Sequence, residues 1–324
     1  MKKKTALITG ITGQDGSYLA EFLLGKNYKV FGLERSGLAI KKYANIQHII
    51  NKIELTSADL LDEGSLIDII STIKPDEIYN LAARSSVAES WKDPVLTGEI
   101  TALGAVKLLE AVRKTNDKIK FYQASSSEIF GGSKKSPQNE ETCPNPKSPY
   151  GAAKLYAHWM VKSYRETYNM FAVSGILFNH ESPRRGVEYV TRKIIHEAVK
   201  IKLDMSEELR LGNLEARRDW GFAGDYVKDM WLMLQQEKPM DFVIGTGEIH
   251  SVKDFAIETF ERLGLDWEKY VKTDASFIRP AETNLLVADN TNAKKILKWS
   301  PKTNFKKLIK LMIKEEMKLL SENK

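Results

Sequence analysis

"TGITGQDG" (residues 9–16) is the stretch on which the fold of this chain turns. Gly10, Gly13 and Gly16 stand three apart, with the polar residues Thr12, Gln14 and Asp15 among them. Upstream, "TALITG" (5–10) is a short β-rich run that reads as a buried strand. Downstream, "SYLAEFLLGK" (17–26) carries apolar residues at helical spacing, with Gly25 placed to end the helix. Strand, glycine turn and helix N-terminus in this order present outward-pointing backbone N–H groups at the positive end of a helix dipole, which is a site for phosphate. A tight strand-to-helix turn without a ligand would use the same glycines, so the rest of the chain has to discriminate.

Beyond this turn, β-rich runs at 28–34, 53–60, 76–83, 119–127 and 171–179 alternate with helical patterns at 65–73, 104–114 and 152–168. That rhythm predicts an α/β fold: a doubly wound parallel sheet of six strands in the order 3-2-1-4-5-6, with a ligand crevice at the carboxyl ends of the strands. Past about residue 180 the rhythm breaks. Helices are expected at 190–203, near 225–236 and at 251–264, where Ser251 can cap, and a strand at 242–247. The expected organisation is a dinucleotide-binding domain over 1–180 and a smaller, mainly substrate-binding domain over 181–324, with some later segments returning to the first.

The bulk numbers narrow the class. The 324 residues allow one large α/β domain plus a smaller one, and 42% apolar with 28% charged residues is ordinary for a globular protein. A single cysteine, Cys143, excludes an internal disulfide framework and fits a reducing compartment. No apolar run approaches a membrane span, and the basic start "MKKK" leads into a strand too short for a signal peptide, so a cytoplasmic chain is expected. The net charge of +6 is dispersed, and its densest cluster, "KKLIKLMIKEEMK" (306–318), sets lysines against an apolar helical stripe. That pattern is the solvated face of a terminal helix, so neither nucleic acid nor membrane is an expected partner. No metal is expected.

Two further stretches carry chemistry. "SPYGAAK" (148–154) puts Tyr150 and Lys154 four apart on one face at the start of a helix. A phenol has a reference pKa near 10, and a lysine ammonium with an oxidised nicotinamide close by would favour its phenolate. "QASSSEIFG" (123–131) ends a strand in hydroxyls. Ser126 alternates with Ser125 and Ser127, so it can face the crevice alone, and Glu128 follows where an acid–base group would stand. Glu34 ends the second strand roughly twenty residues past the glycine turn, where a carboxylate accepts hydrogen bonds from the adenine ribose of NAD.

The G-x-x-G-x-x-G spacing is typical of the short-chain dehydrogenase/reductase superfamily. Together with "SSSEIFG", "SPYGAAKLYAHWMV", "FNHESPRRG" and "RDWGFAGDYV", the chain from residue 4 to beyond 290 resembles the GDP-mannose 4,6-dehydratase family, an extended branch of that superfamily with a Rossmann-type fold. The resemblance implies a hydroxyl–Tyr–Lys triad on Ser126, Tyr150 and Lys154 and an acid–base glutamate on Glu128. It implies cofactor contacts from Gly10 to Gly16 and from Arg35, Asp59, Leu60, Leu81, Ala82, Ala83, Ser85, Tyr150, Lys154, His180 and Arg185. Substrate contacts would fall on Ser85, Ser126, Glu128, Asn179, Arg185, Val190, Lys193, Arg218, Arg279 and Glu282.

The implied activity converts a GDP-sugar, such as GDP-mannose, into its 4-keto-6-deoxy derivative. The alternative is a C4 dehydrogenase, reductase or epimerase acting on a related GDP-sugar such as a GDP-heptose. A homodimer or homotetramer is implied as well. The chain departs from the family in three places. Ser126 stands where threonine is usual. "NLAARSSV" (80–87) replaces N-L-A-A-Q-S-H-V, bringing in Arg84 and Ser86. Only Arg35 remains of a usual arginine pair. The family therefore implies NADP, whereas the charge of Glu34 favours NAD.

Overall fold

The computed structural model describes residues 3–35, 43–277 and 284–322. Its first half runs β1 (Thr5–Thr9), α1 (Gln14–Gly25), β2 (Lys29–Glu34), β3 (Glu54–Ser57), α2 (Glu63–Ile73), β4 (Glu77–Asn80), α3 (Val87–Lys92), α4 (Pro94–Gly98), α5 (Gly104–Thr115), β5 (Lys120–Ser126), α6 (Pro149–Tyr168) and β6 (Ala172–Leu177). There follow β7 (Asn179–Glu181), α7 (Val190–Lys202), β8 (Leu209–Leu211), β9 (Arg217–Arg218), β10 (Trp220–Phe222), α8 (Ala223–Leu234), β11 (Phe242–Ile244), β12 (His250–Ser251), α9 (Val252–Arg262), α10 (Trp267–Tyr270), β13 (Val271–Thr273) and α11 (Phe305–Ser321).

The central sheet has the order β11-β6-β5-β4-β1-β2-β3, all parallel. The expected 3-2-1-4-5-6 is present, and a seventh strand is added from the second half of the chain. β11 pairs Phe242 with Gly175 and Ile244 with Leu177. It covers the backbone edge that β6 would otherwise leave open.

Period-two alternation along the strands feeds two cores. In β1, Ala6 and Ile8 point to the layer that packs Leu19 and Leu23 of α1 with Tyr226 and Met230 of α8. Leu7 points to the opposite layer, against Leu66 of α2, Leu108 of α5 and Val161 of α6. Burying each such side chain contributes about 1.5–3 kcal/mol. A separate core joins Ile194 and Ile195 of α7, Phe255 and Phe260 of α9, and Leu308, Ile309 and Met312 of α11. The apolar stripe of "KKLIKLMIKEEMK" is thus buried, and the same helix also buries Glu316.

Local chemistry sets the helix ends that matter. Ser148 accepts from the Gly151 N–H at 3.0 Å and Pro149 opens α6, so Tyr150 in its first turn and Lys154 one turn on leave the same face. Ser251 and Asp254 form a reciprocal capping box at α9, with bonds of 2.7 and 2.9 Å. α1 begins at Gln14, three residues earlier than its apolar pattern suggests, because the last glycine turn is already helical. Gly25 is its last helical residue, and the left-handed position beyond it falls to Asn27 (φ 63°) rather than to a glycine.

Candidate functional site

β1 and β4 are sheet neighbours whose helices leave to opposite faces, and a crevice opens at their carboxyl ends. A cleft of about 440 Å³ lies there. Its walls are the glycine turn (Gly10, Thr12, Gly13, Gln14, Asp15 and Gly16), the end of β2 (Glu34, Arg35), the segment after β3 (Asp59, Leu60) and the loop after β4 (Leu81 to Ser85), with Arg185 opposite. Gly10 is left-handed (φ +70°), and a Cβ there would meet Ala82 N at 3.0 Å. A Cβ on Gly16 would sit 2.3 Å from Gly10 O, so helix and turn can approach this closely only with glycine. Thr9 completes the turn: its Oγ1 accepts from the N–H groups of Leu81 and Ala82, each at 3.1 Å.

The cleft fits a dinucleotide on the residues present. The α1 N-terminus opens onto it at Gly13, and half-buried Arg185 has its buried Nε without a hydrogen bond among the described residues, 3.3 Å from Glu181 Oε2. Backbone N–H groups and a guanidinium with donors to spare suit a diphosphate.

At the inner end of the cleft Asp15 accepts from Gln14 Nε2 at 3.0 Å and pairs with His180 Nε2 at 2.7 Å. The second ring nitrogen of His180 lies 2.7 Å from Phe178 O, and the ring stacks on Tyr226 with centroids 4.7 Å apart. Burial disfavours charge on His180, yet the Asp15 carboxylate outweighs it and raises the imidazole above its ordinary pKa. Burial also opposes the charge on Asp15, and His180 reverses that, holding the carboxyl below its usual range. The pair joins the glycine turn to β7 as an ion pair, and Ser182 Oγ adds a 2.8 Å bond to Gln14 Oε1.

Ser126, Glu128, Tyr150 and Lys154 are not on the walls of this cleft, but Tyr150 is in electrostatic reach of Arg185 and Lys154 of Asp15, both wall residues. β5 ends at Ser126, and the single turn of 3-10 helix at Ser127–Phe130 brings Glu128 back so that its N–H meets Ser126 Oγ at 3.3 Å. Glu128 is buried, and so are Ser125 and Ser127, which leaves Ser126 as the more open of the three hydroxyls. Lys154 Nζ donates to Ala124 O at 2.8 Å and lies 5.8 Å from the Tyr150 ring centroid.

The electrostatics of the phenol differ from the sequence-based expectation. Burial pushes Tyr150 above its ordinary value, and the Ser126 hydroxyl and Arg185 charge pull it back only in part. Lys154, pushed down to about 8 by burial against the pull of Asp15, is directed at a backbone carbonyl rather than at the phenol oxygen. Without an added positive charge in the site, Tyr150 is therefore a neutral phenol.

The remaining assigned residues are more dispersed. Asn179 opens β7 and Val190 opens α7, while Lys193 Nζ lies 3.5 Å above the Phe277 ring. Arg218 is buried in β9 and donates to Arg217 O at 2.7 Å. None of these four lines the cleft. Arg279 and Glu282 lie outside the described residues, as do residues 36–42 after β2.

Other features are structural or unforeseen. In "RDWG" the buried Asp219 accepts from Thr246 N, Gly247 N and Ala288 N, fixing the turn after β11. Arg184 and Arg185 look alike in sequence but diverge: Arg184 turns to α1, 2.5 Å from Glu21 and 3.9 Å above the Tyr18 ring. Arg84 is a cleft residue paired with Asp93 at 3.0 Å. Leu33, Ala58 and Ile100 line the cleft as well, and the first two could have been found as the residues preceding Glu34 and Asp59 at strand ends. Among the described residues no helix is long and apolar enough to cross a membrane, and no cluster of three metal-ligating side chains occurs.

The chain as a whole is similar to proteins of known identity. A family profile described as GDP-mannose 4,6 dehydratase matches residues 7–312. The chain is 52% identical to GDP-mannose 4,6 dehydratase 2 of Arabidopsis thaliana over 333 residues, covering 99% of this chain and 89% of that protein. It is 46% identical to the GDP-mannose 4,6 dehydratase of Homo sapiens, covering 99% and 93%. Among solved structures, a UDP-glucose 4-epimerase with UDP-glucose from Thermotoga maritima superposes with a TM-score of 0.87 at 25% identity, covering 98% of this chain and 99% of that one.

Proposed function

The chain belongs to the GDP-mannose 4,6-dehydratase family, and on that premise we propose which of its own residues carry the reaction. The activity is the 4,6-dehydration of GDP-mannose with a nicotinamide cofactor. The glycine turn, Glu34, Asp59 and the loop after β4 would hold the nicotinamide cofactor, which would supply reversible hydride transfer between C4 and C6 of the sugar. Tyr150 takes the proton from O4, and Ser126 holds that oxygen by a hydrogen bond. Burial holds the phenol protonated, so nearby positive charge is needed to favour its phenolate, and Lys154 contributes such charge from the same helix face. The C4 ketone acidifies the hydrogen at C5. Glu128 removes that proton and delivers it to the hydroxyl leaving C6 as water, so a single carboxyl group serves as base and then as acid. When hydride returns to C6, C5 takes up a proton in exchange for the one Tyr150 received from O4, which Tyr150 gives back through the site and its solvent. Arg185 and the α1 N-terminus hold diphosphate charge, and the Asp15–His180 pair fixes the glycine turn against β7.

The observation that carries this reading is that Glu128 is buried just past Ser126, its backbone N–H bonded to Ser126 Oγ in a single 3-10 turn, with its charge close enough to Tyr150 to push that phenol up. Oxidation or epimerisation at C4 needs no second acid–base group, whereas elimination across C5 and C6 does. Incubation with GDP-mannose should give a GDP-bound 4-keto-6-deoxy hexose, seen in the mass spectrum as loss of one water. A 4-keto product that keeps its water would instead support the C4 oxidoreductase alternative.

For the cofactor we propose NAD. Glu34 lies on the cleft wall at the end of β2 and accepts from Tyr43 Oη, which fixes the carboxylate where the adenine ribose would sit. A carboxylate there accepts the two ribose hydroxyls and repels a 2′-phosphate, and one exposed arginine, Arg35, has to oppose it. Cofactor released from the purified, denatured protein should have the mass of NAD; NADP as the sole nucleotide would overturn the assignment.

Residues 1–180 would bind the dinucleotide and 181–324 mainly the nucleotide sugar, with β11 lent to the sheet of the first. A homodimer or homotetramer in the cytoplasm is the proposed working form. Trp91, Val95, Tyr156 and Trp159 are exposed on α3, α4 and α6, three helices that pack together, and they offer an apolar face to a second copy.

A further inference from the structure

We propose that Tyr189 is a second tyrosine of the reaction site, whose hydroxyl, paired with that of Ser85, binds the C3 hydroxyl of the sugar. The proposal rests on the reading above that a GDP-hexose is oxidised at C4. Tyr189 is the residue that caps α7, directly before Val190. Its Oη lies 2.9 Å from Ser85 Oγ, a contact that reaches across the site from the loop after β4 to the start of α7.

A serine–tyrosine pair uses one hydrogen between its two oxygens. The other O–H and the remaining lone pairs stay available, so the pair can donate and accept at once. A sugar hydroxyl needs that combination. The ring is held from the other side by Arg185, whose guanidinium carbon lies 3.7 Å from its centroid, and Arg185 is itself a wall of the cofactor cleft. Tyr189 is also close enough to Tyr150 to add to the upward push on that phenol.

Position then selects the hydroxyl. C4 has two ring neighbours, C3 and C5. Ser126 and Tyr150 engage O4, and Glu128 must stand on the side of C5 and C6 to do its work. The Ser85–Tyr189 pair comes from different elements, the β4 loop and the α7 cap, and takes the remaining side. Nothing in the sequence marked Tyr189, because a tyrosine before a helix is ordinary; only the fold brings it to Ser85.

The test compares GDP-mannose with its 3-deoxy analogue. Binding is measured to the cofactor-loaded Tyr150→Phe protein, in which turnover does not intrude, and to the same protein carrying Tyr189→Phe as well. Loss of one neutral hydrogen bond should weaken GDP-mannose by roughly three- to tenfold, and the 3-deoxy analogue should bind the two proteins alike. In the otherwise native enzyme, Tyr189→Phe should raise KM with little change in kcat. Equal weakening of both ligands would mean that Tyr189 only shapes the site, and no weakening of either would remove it from substrate binding; both results overturn the proposal. Because equilibrium binding is independent of the chemistry that follows, failure of the dehydratase reading would show separately, in the product.

Discussion

Tyr150→Phe is expected to lower turnover of GDP-mannose by roughly a hundred- to ten-thousand-fold, the usual contribution of a positioned general base. The substitution removes one oxygen from a buried ring that packs in the first turn of α6, so fold and substrate affinity should survive. The loss should appear in kcat, because the missing interaction develops only as the O4 proton moves. The neutral state of this phenol sharpens the expectation. Burial raises Tyr150, and Lys154 is directed at Ala124 O, so the phenolate would need further positive charge in the site to form. Single-turnover measurement of reduced nicotinamide absorbance reads the step directly. Near-parent turnover in Tyr150→Phe would take this residue out of the mechanism.

Glu128→Gln should separate the two halves of the reaction. Glutamine keeps the size and hydrogen bonding of the side chain, and the Glu128 N–H bond to Ser126 Oγ belongs to the backbone and is untouched. It cannot cycle a proton. Hydride transfer from C4 should therefore persist, with reduced nicotinamide appearing on mixing, while water loss falls by roughly a hundred- to ten-thousand-fold. In deuterated solvent the label should no longer enter C5 of the sugar. Formation of 6-deoxy product at close to the parent rate would show that another group does this work.

Much of this was legible in the sequence. The glycine turn, the strand–helix rhythm and the six-strand order follow from periodicity and turn chemistry, which are local properties. The seventh strand was not placed: "FVIGTG" reads as a strand, but nothing local says that it returns to β6 from more than sixty residues away. The start of α1 was set late for a similar reason, since Gln14, Asp15 and Gly16 carry no apolar pattern although they are helical here. In the site, the glycine turn and Glu34 were visible from their places at strand ends, whereas Arg35, Asp59, Leu60, Leu81 to Ala83, Ser85 and Arg185 on the cleft wall came from the family resemblance. The partners that tune them were not. His180 finds Asp15 across 165 residues, Tyr189 finds Ser85 across 104, and Arg184 parts from its neighbour Arg185 because Glu21 and Tyr18 of α1 happen to face it. Burial was the other hidden quantity. It moves the Tyr150 phenol up and Lys154 down to about 8, opposite to what two charges at helical spacing suggest in water.

The central claim is that one site oxidises C4, eliminates water across C5 and C6, and reduces C6 with the same hydride. GDP-mannose carrying deuterium at C4, turned over by the enzyme in ordinary water, tests it in one mass and NMR analysis of the product. The account predicts a 4-keto-6-deoxy sugar with the deuterium moved to C6 and a solvent proton at C5. Deuterium left on the cofactor with a product that still has its C6 hydroxyl, or returned to C4, would contradict it.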